Sequence, residues 1–512
     1  MRNLFYLLTF IIATAMVGCV QPVNGDEPLW NISGTSSAPL QTGPIPTAVP
    51  LTQQAIVAEV DTGPRLTPTP DRPHPIPPLR TEAKQYVVQT GDTLGIIAQR
   101  NNVSVEAIVA ENNLLNPNIL DVGQILLIPA PEPTGLAPSF KIIPDAELVN
   151  SPSVVDFDIS GYIDSKSGYL AKYLEEVNGS FMTGAQIVER VAQNYSVNPR
   201  ILLTVLEHQS RWVTNANPAE ETLEYPIGIY DPYRVGLYRQ LAWVADNLNR
   251  GYYLWRVNGV SSWVLFDGNV VPVNPTINAG TAGLQYLYAL LLGYEQWNNA
   301  ITANGVQETY IRLFDYPFFY SYDPLIPPAL TQPTLQLPFE KGEAWSFTGG
   351  PHGGWDNGSA WAALDFAPPS DALGCVQSDE WVVAVADGLI VRVGEGAVIQ
   401  DLDMDGLEQT GWTVLYMHIE TRDRIREGAR VKAGDRIGHP SCEGGISTGT
   451  HLHLARRYNG EWIPADQSTI PFVMDSWTSV GTGSLYDGFL IREDGRQIEA
   501  LNGREEFNQI QR

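Results

Sequence analysis

Positive charge is scarce in this chain: 31 Lys and Arg stand against 57 Asp and Glu, a net charge of −26 over 512 residues. Phosphate backbones and bare anionic membrane surfaces need a basic face, so the composition argues against nucleic acid as a partner. Cysteine is nearly absent, with three residues, which excludes a disulfide-dense scaffold and leaves no Cys-x-x-Cys unit for a metal. Apolar runs are short as well. The longest, residues 4–17, is too short for a comfortable bilayer span but has the length of a signal h-region. What remains is a chain long enough for two or three cores, with 44% hydrophobic residues to fill them.

The first 18 residues read as an export signal. They run into Met16-Val17-Gly18-Cys19, which resembles a bacterial lipobox and implies cleavage before Cys19, its acylation and an extracytoplasmic, membrane-anchored lipoprotein. Residues 19–84 are rich in Pro, Thr, Ser and Gly with no hydrophobic period, as expected of an extended tether, and His74 between prolines reads as a solvated linker residue. Setting Cys19 aside for the lipid leaves Cys375 and Cys442, a pair able to form one disulfide in an oxidising compartment.

Residues 85–130 carry a strand near Tyr86, helix-spaced apolar positions and a second strand at 125–128. This βααβ stretch, "YVVQTGDTLGIIAQRNNVSVEAIVAENNLLNPNILDVGQILLIP", resembles a LysM module. The resemblance implies binding to the N-acetylglucosamine backbone of peptidoglycan or chitin through Asp92, Thr93, Leu94, Asn118 and Ile119, with Asn116 beside them. Each of these is also an ordinary cap or turn residue by type.

Residues 140–335 read as mainly helical, with amphipathic runs at 185–195, 199–213, 238–248 and 282–297. "VNPRILLTVLEHQSRW" is similar to the catalytic helix of lysozyme-like lytic transglycosylases. Those enzymes need a glutamic acid directly before the serine, and here Gln209 precedes Ser210; an amide cannot protonate a glycosidic oxygen. Glu207 projects about 200° away from Gln209 around a helix. The region therefore reads as a non-catalytic, glycan-facing scaffold in which Glu207, His208 and Gln209 form a polar helix edge.

From 340 to 470 the pattern turns to strand alternation with many glycines, followed by an extension at 471–512. His451 and His453 are two apart, so on a strand both imidazoles face one side while Leu452 packs behind. A lone pair of this kind is a weak signal, and it strengthens when a third imidazole and a carboxylate are available, because catalytic zinc commonly takes three N or O ligands plus one water. "GGPHGGWDNGSAWAALDFAP", "VVAVADGLIVRVG", "WTVLYMHIE", "VKAGDRIG" and "STGTHLHLARR" together resemble the all-β lysostaphin-type zinc endopeptidases that cut peptidoglycan peptides. The resemblance implies His352, Asp365 and His453 as Zn2+ ligands and His418 and His451 as the unliganded catalytic histidines. The commonest family spacing would select Asp356, but the order of the following motifs favours Asp365, making 353–362 an inserted loop and Asp356 a rim residue.

His418 is expected to share a strand face with Val414 and Tyr416 and so to point into the same groove as the paired histidines. His439, in a Gly/Pro turn, reads as structural. The run Asp401-Leu402-Asp403-Met404-Asp405-Gly406 opens like a calcium loop, but Trp412 occupies the twelfth position, so it reads as a solvated hairpin loop. The composite expectation is a wall-tethered zinc endopeptidase. The alternative is a non-catalytic peptidoglycan-binding lipoprotein that activates other wall hydrolases; that class lacks the ligands this chain retains.

Overall fold

A computed structural model describes residue 68 and residues 70–512; Cys19, the signal and most of the tether lie outside the described residues. Among the described residues no helix is long and apolar enough to cross a membrane. The LysM module pairs Lys84–Val87 with Ile125–Ile128 around the helices Leu94–Arg100 and Val105–Asn112. Thr93 and Ser104 cap those helices by accepting from Ile96 N and Ala107 N, which satisfies end groups that would otherwise lack partners. Leu94 lies in the module's core with Ile97, Ile108 and Leu126, so its side chain is not available to a glycan, contrary to expectation.

The middle region is helical. Its longest helices are Gly184–Tyr195, Pro199–Ser210, Leu237–Arg256 and Ala279–Leu291; the first three start within one residue of the expected runs and the last starts three residues earlier than expected. Thr183 and Gln186 form a capping box, and Asn198 caps a helix with Pro199 at its first position. The run expected to continue to Trp297 breaks after Leu291, and Tyr294–Ala300 forms a separate helix. His74 is half-buried rather than a free linker residue. Its ring stacks on Trp255 at 4.5 Å and its Nε2 donates to the Trp255 carbonyl, so this end of the tether is docked on the helical region.

The C-terminal region is β-rich. Its main sheet is antiparallel and runs, in spatial order, Arg430–Val431, Gly388–Gly394, Ala397–Asp401, Trp412–Met417, Leu452–Tyr458, Ala363–Ala367, Ala344–His352 and Gln509–Gln511, with Glu461–Trp462 paired to the Leu452–Tyr458 strand. The last strand returns from the extension to pair with the first, so residues beyond 471 complete the sheet. Strand alternation separates two faces. Leu364, Phe366, Val414, Tyr416, Leu452 and Leu454 share a core with Trp345 and Phe347. Ala363, Leu415, Met417 and Ala455 turn the other way and share a core with Val191, Tyr195 and Tyr253 of the helical region.

That shared core is rimmed by polar contacts between the two regions. Arg392 donates to Asn194 and, with Arg457, flanks Glu408, whose carboxyl is held at about 2 by the two guanidiniums although burial opposes its ionisation. Asp246, on the Leu237–Arg256 helix, accepts from Gly358 N at 2.6 Å in the loop after His352. Burial first, and then the nearby Asp356, push the Asp246 carboxyl up to about 7. A raised acid favours the folded state below its unfolded pKa of about 4, and that stabilisation is lost as pH rises through about 7. Asp246→Asn keeps an acceptor for Gly358 and removes the charge. Calorimetry should therefore show its unfolding temperature raised by about 2 °C at pH 8 and unchanged at pH 4; an equal shift at both pH values would refute this account.

Candidate metal centre

Strand pairing assembles the centre. His453 is in register with Asp365 on one side and with Met417 on the other, while His352 ends the neighbouring strand. Asp365 and His453 have the same parity as Ala363 and Ala455, so both project from the face that also receives the helical region. His352 Nε2, His453 Nδ1 and Asp365 Oδ1 form a triangle with edges of 3.0, 3.4 and 3.2 Å. Donors about 2.0–2.1 Å from a tetrahedral zinc ion are separated by roughly 3.3–3.4 Å, so the triangle has the size of one face of such a site. Asp365 Oδ1 is buried and takes no hydrogen bond of good geometry, a cost that a bound cation would remove. Burial opposes ionisation of Asp365, but His352 and His451 hold it well below the usual carboxylate range.

Each of the four histidines donates one ring N–H to a backbone carbonyl, leaving a lone pair on the other nitrogen. His352 Nδ1 donates to Gly350 O at 2.8 Å and His453 Nε2 to Gly354 O at 3.1 Å, which frees the two nitrogens of the triangle for a metal. His418 Nδ1 donates to Glu443 O at 2.9 Å, and His451 Nδ1 to Gly449 O at 2.8 Å with Ser447 Oγ 3.2 Å away. Their rings lie 4.4 Å apart, and His451 Nε2 is 3.8 Å from Asp365 Oδ1. Burial, then His451 and His453, push the His418 imidazole well below its ordinary value, so it is neutral at neutral pH.

His418 does not arrive by strand alternation. Val414 and Tyr416 face the opposite core, where the Tyr416 hydroxyl donates to Gln400 and accepts from Val385 N. The strand ends at Met417, and His418 adopts φ 65°, a left-handed turn that swings its ring to the metal face. Holding a Cβ-bearing residue there costs about 1–2 kcal/mol, a strain of the kind found at functional sites.

The other expected residues sort cleanly. Asp356 accepts from the Tyr195 hydroxyl at 3.1 Å and is not among the triangle's donors. Glu207 is no polar edge: it is buried and accepts from Val213 N, Thr214 N and Thr214 Oγ1, locking the turn after its helix. His208 meets Thr309, and Gln209 donates to Ile227 O. The His439 ring packs at a tilt against Trp381, 3.9 Å between centroids, and its Nδ1 donates to Glu380 O. Asp401 is buried, not solvated; its carboxylate accepts from the backbone N–H groups of Asp403, Met404 and Gly406. In the LysM module Asp92 accepts from the Tyr86 hydroxyl, and Ile119 is exposed.

Cys375 and Cys442 are joined by a disulfide that ties the loop after Asp365 to the turn bearing Glu443 and Ser447. Two features of the centre have no signature in local sequence. Tyr486, from the extension, stacks on His352 at 4.3 Å while its backbone pairs with Gly350 and Pro351. Arg504 donates to the carbonyls of Pro368, Ala372 and Thr450, clamping the disulfide loop to the paired-histidine strand. Ser447 was the more legible of the missed groups, since it lies four residues before His451 in the same motif.

Comparison with known proteins finds relatives for three segments of the chain. Family models match residues 86–129 (LysM domain), 141–326 (LasA, N-terminal domain) and 372–464 (Peptidase family M23). The last match takes in His418, His451 and His453 and begins after His352 and Asp365. Protease LasA of Pseudomonas aeruginosa is 25% identical over 324 residues, covering 59% of this chain and 72% of that protein. Beta-lytic metalloendopeptidase of Achromobacter lyticus is 28% identical over 161 residues, 30% of this chain and 40% of its own. Among solved structures, the M23 metalloprotease pseudoalterin is 25% identical with a TM-score of 0.28, covering 33% of this chain and 96% of that one. The chain thus carries a LysM domain, a LasA N-terminal domain and a Peptidase family M23 domain, is homologous to protease LasA, and is a metalloendopeptidase.

Proposed function

We propose that this chain is a zinc endopeptidase that hydrolyses peptide bonds in peptidoglycan stem peptides or cross-bridges, held at the envelope by lipid on Cys19 and on its substrate by the LysM module. The observation that carries the reading is the His352, Asp365 and His453 triangle, with its buried Asp365 oxygen and two nitrogens stripped of their protons by backbone acceptors. Two imidazoles and one carboxylate suit zinc, and the dimensions fit it. When bound, the ion supplies Lewis acidity toward the scissile carbonyl and toward water.

The chain's own residues supply the proton traffic. His451 Nε2 carries a lone pair and sits 3.8 Å from Asp365 Oδ1, whose charge favours the imidazolium formed when His451 takes a proton from water. The proton that His451 has taken goes on to the leaving amine, and His418, in ring contact with His451, is the group we assign to stabilising the developing carbonyl charge or to helping deliver that proton. Asp92, Thr93, Asn118 and Ile119 are the LysM residues we assign to glycan contact. LasA and the beta-lytic enzymes carry names that place them among peptide-bond hydrolases, which supports the reading for this chain.

Incubation of the full chain with purified cell walls tests it. The expected result is release of new amino groups without new reducing ends. Full metal occupancy with no amino groups released would transfer the assignment to the non-catalytic activator.

A further inference from the structure

His418 lies past the end of its strand, so the sheet ladder does not hold it and other contacts must. The segment 418–424 runs beside the segment 439–443, and the two are zipped together. Glu420 N donates to His439 O at 2.8 Å, while Ser441 N and Ser441 Oγ donate to His418 O at 2.7 and 3.0 Å.

Glu443 grips this zip at both ends. Its backbone carbonyl accepts from His418 Nδ1 at 2.9 Å, which sets the tautomer and the plane of the ring. Its carboxylate reaches back to the residues that follow His418, accepting from Thr421 N at 2.8 Å, from Thr421 Oγ1 at 2.6 Å and from Arg424 Nη2. Arg424 in turn donates to Thr421 Oγ1 at 2.9 Å and to Glu420 O at 3.1 Å. The ion pair is partly withdrawn from water, with the Arg424 side chain 9% exposed and that of Glu443 32%, so it is screened less than a pair on the open surface.

The carbonyl that holds His418 has little freedom of its own. A Cβ on Gly396 would come within 2.4 Å of Glu443 O, and one on Gly444 within 1.9 Å of Glu395 O, so the hairpin tip at 395–396 presses on the turn and requires glycine on both sides. Cys442, next to Glu443, is tied to Cys375. The disulfide and the hairpin place the turn, whereas the carboxylate couples that turn to the segment carrying the imidazole.

We propose that Glu443 is a positioning residue for His418: its carboxylate locks the 418–424 segment to the turn whose carbonyl orients the ring, so one residue sets both where the imidazole is carried and which way it faces. The inference rests on the endopeptidase reading above and assigns the support of one of its two unliganded histidines. Glu443 is not among the metal donors, so removing its carboxylate should leave the metal in place.

Kinetics of the metal-loaded full chain on a soluble cross-linked stem peptide test this. Glu443→Ala should lower kcat by about tenfold with KM changed less than about twofold, because a displaced imidazole loses contacts made in the transition state. Glu443→Gln keeps an acceptor for Thr421 N and loses the charge that Arg424 meets, so it should lose about fivefold. In a His418→Asn background Glu443→Ala should change kcat by less than about twofold, since the ring it serves is gone. Glu443→Gln carries the same cycle should the alanine variant not fold, which metal content and circular dichroism report. Nuclear magnetic resonance reads the orientation without turnover: the His418 Nδ1–H should be protected from exchange in wild type and lose that protection in Glu443→Ala. A kcat within twofold of wild type, the same loss in both backgrounds, or an unchanged protected Nδ1–H would each overturn the proposal. Inactivity of the wild type with metal bound would instead strike the endopeptidase reading alone, because the resonance measurement still decides whether Glu443 orients His418.

Discussion

Asp365→Asn is expected to lose the metal and to slow peptide release by about a thousandfold or more, since the ion supplies several kcal/mol of transition-state stabilisation. The amide retains the size of the carboxylate but neither its charge nor its strength as a donor to a divalent ion, and the buried pocket offers no second anion to replace it. His453→Ala and His352→Ala should behave likewise. Asp356→Asn is the contrasting variant. Its carboxylate meets Tyr195 and not the triangle, so metal content should stay at about one ion per chain, as for a single three-ligand site. Elemental analysis of the four purified proteins decides the ligand set. Metal lost from Asp356→Asn but retained in Asp365→Asn would reverse the assignment.

Changing either unliganded histidine should separate binding from chemistry. His451→Ala and His418→Asn are expected to keep the metal while peptide release falls about a hundredfold or more, the usual loss for one proton-transfer or charge-stabilising group. Asparagine is the better probe at 418. It tolerates the left-handed φ of 65°, whereas alanine there would add backbone strain to the loss of the imidazole. Metal loss in either variant, or turnover within a few-fold of wild type, would sink the assigned roles.

Much of the centre could be read along the chain because its signals are local. The paired histidines declare themselves, since period-2 alternation puts His451 and His453 on one side and Leu452 in the core, where it is found. The helix starts at 184 and 199 follow from Thr183, Gln186, Asn198 and Pro199, whose side chains satisfy the first turns without help from distant residues. The two remaining cysteines meet as a disulfide.

What failed did so where a distant contact overrides a local pattern. His74 reads as linker because nothing near it in sequence is apolar enough to hold it; Trp255, 181 residues away, does so. Glu207 reads as a polar edge because its partners lie beyond the end of the helix, in a turn that periodicity does not describe.

The sequence by itself determined the element types, the three-part order and the residue kinds of a metal-dependent hydrolase, since caps, periodicity and short motifs act over a few residues. Only the tertiary structure decided that Asp365 and not Asp356 meets His453, that His418 turns through a left-handed residue to reach the face its strand parity denies it, that Tyr486 stacks on His352, and that the helical region packs against the same face of the sheet. The physical reason is that parity and spacing define directions relative to one strand. Which face becomes the floor of a site depends on what else is buried against it, and that is settled by contacts between residues far apart in the chain.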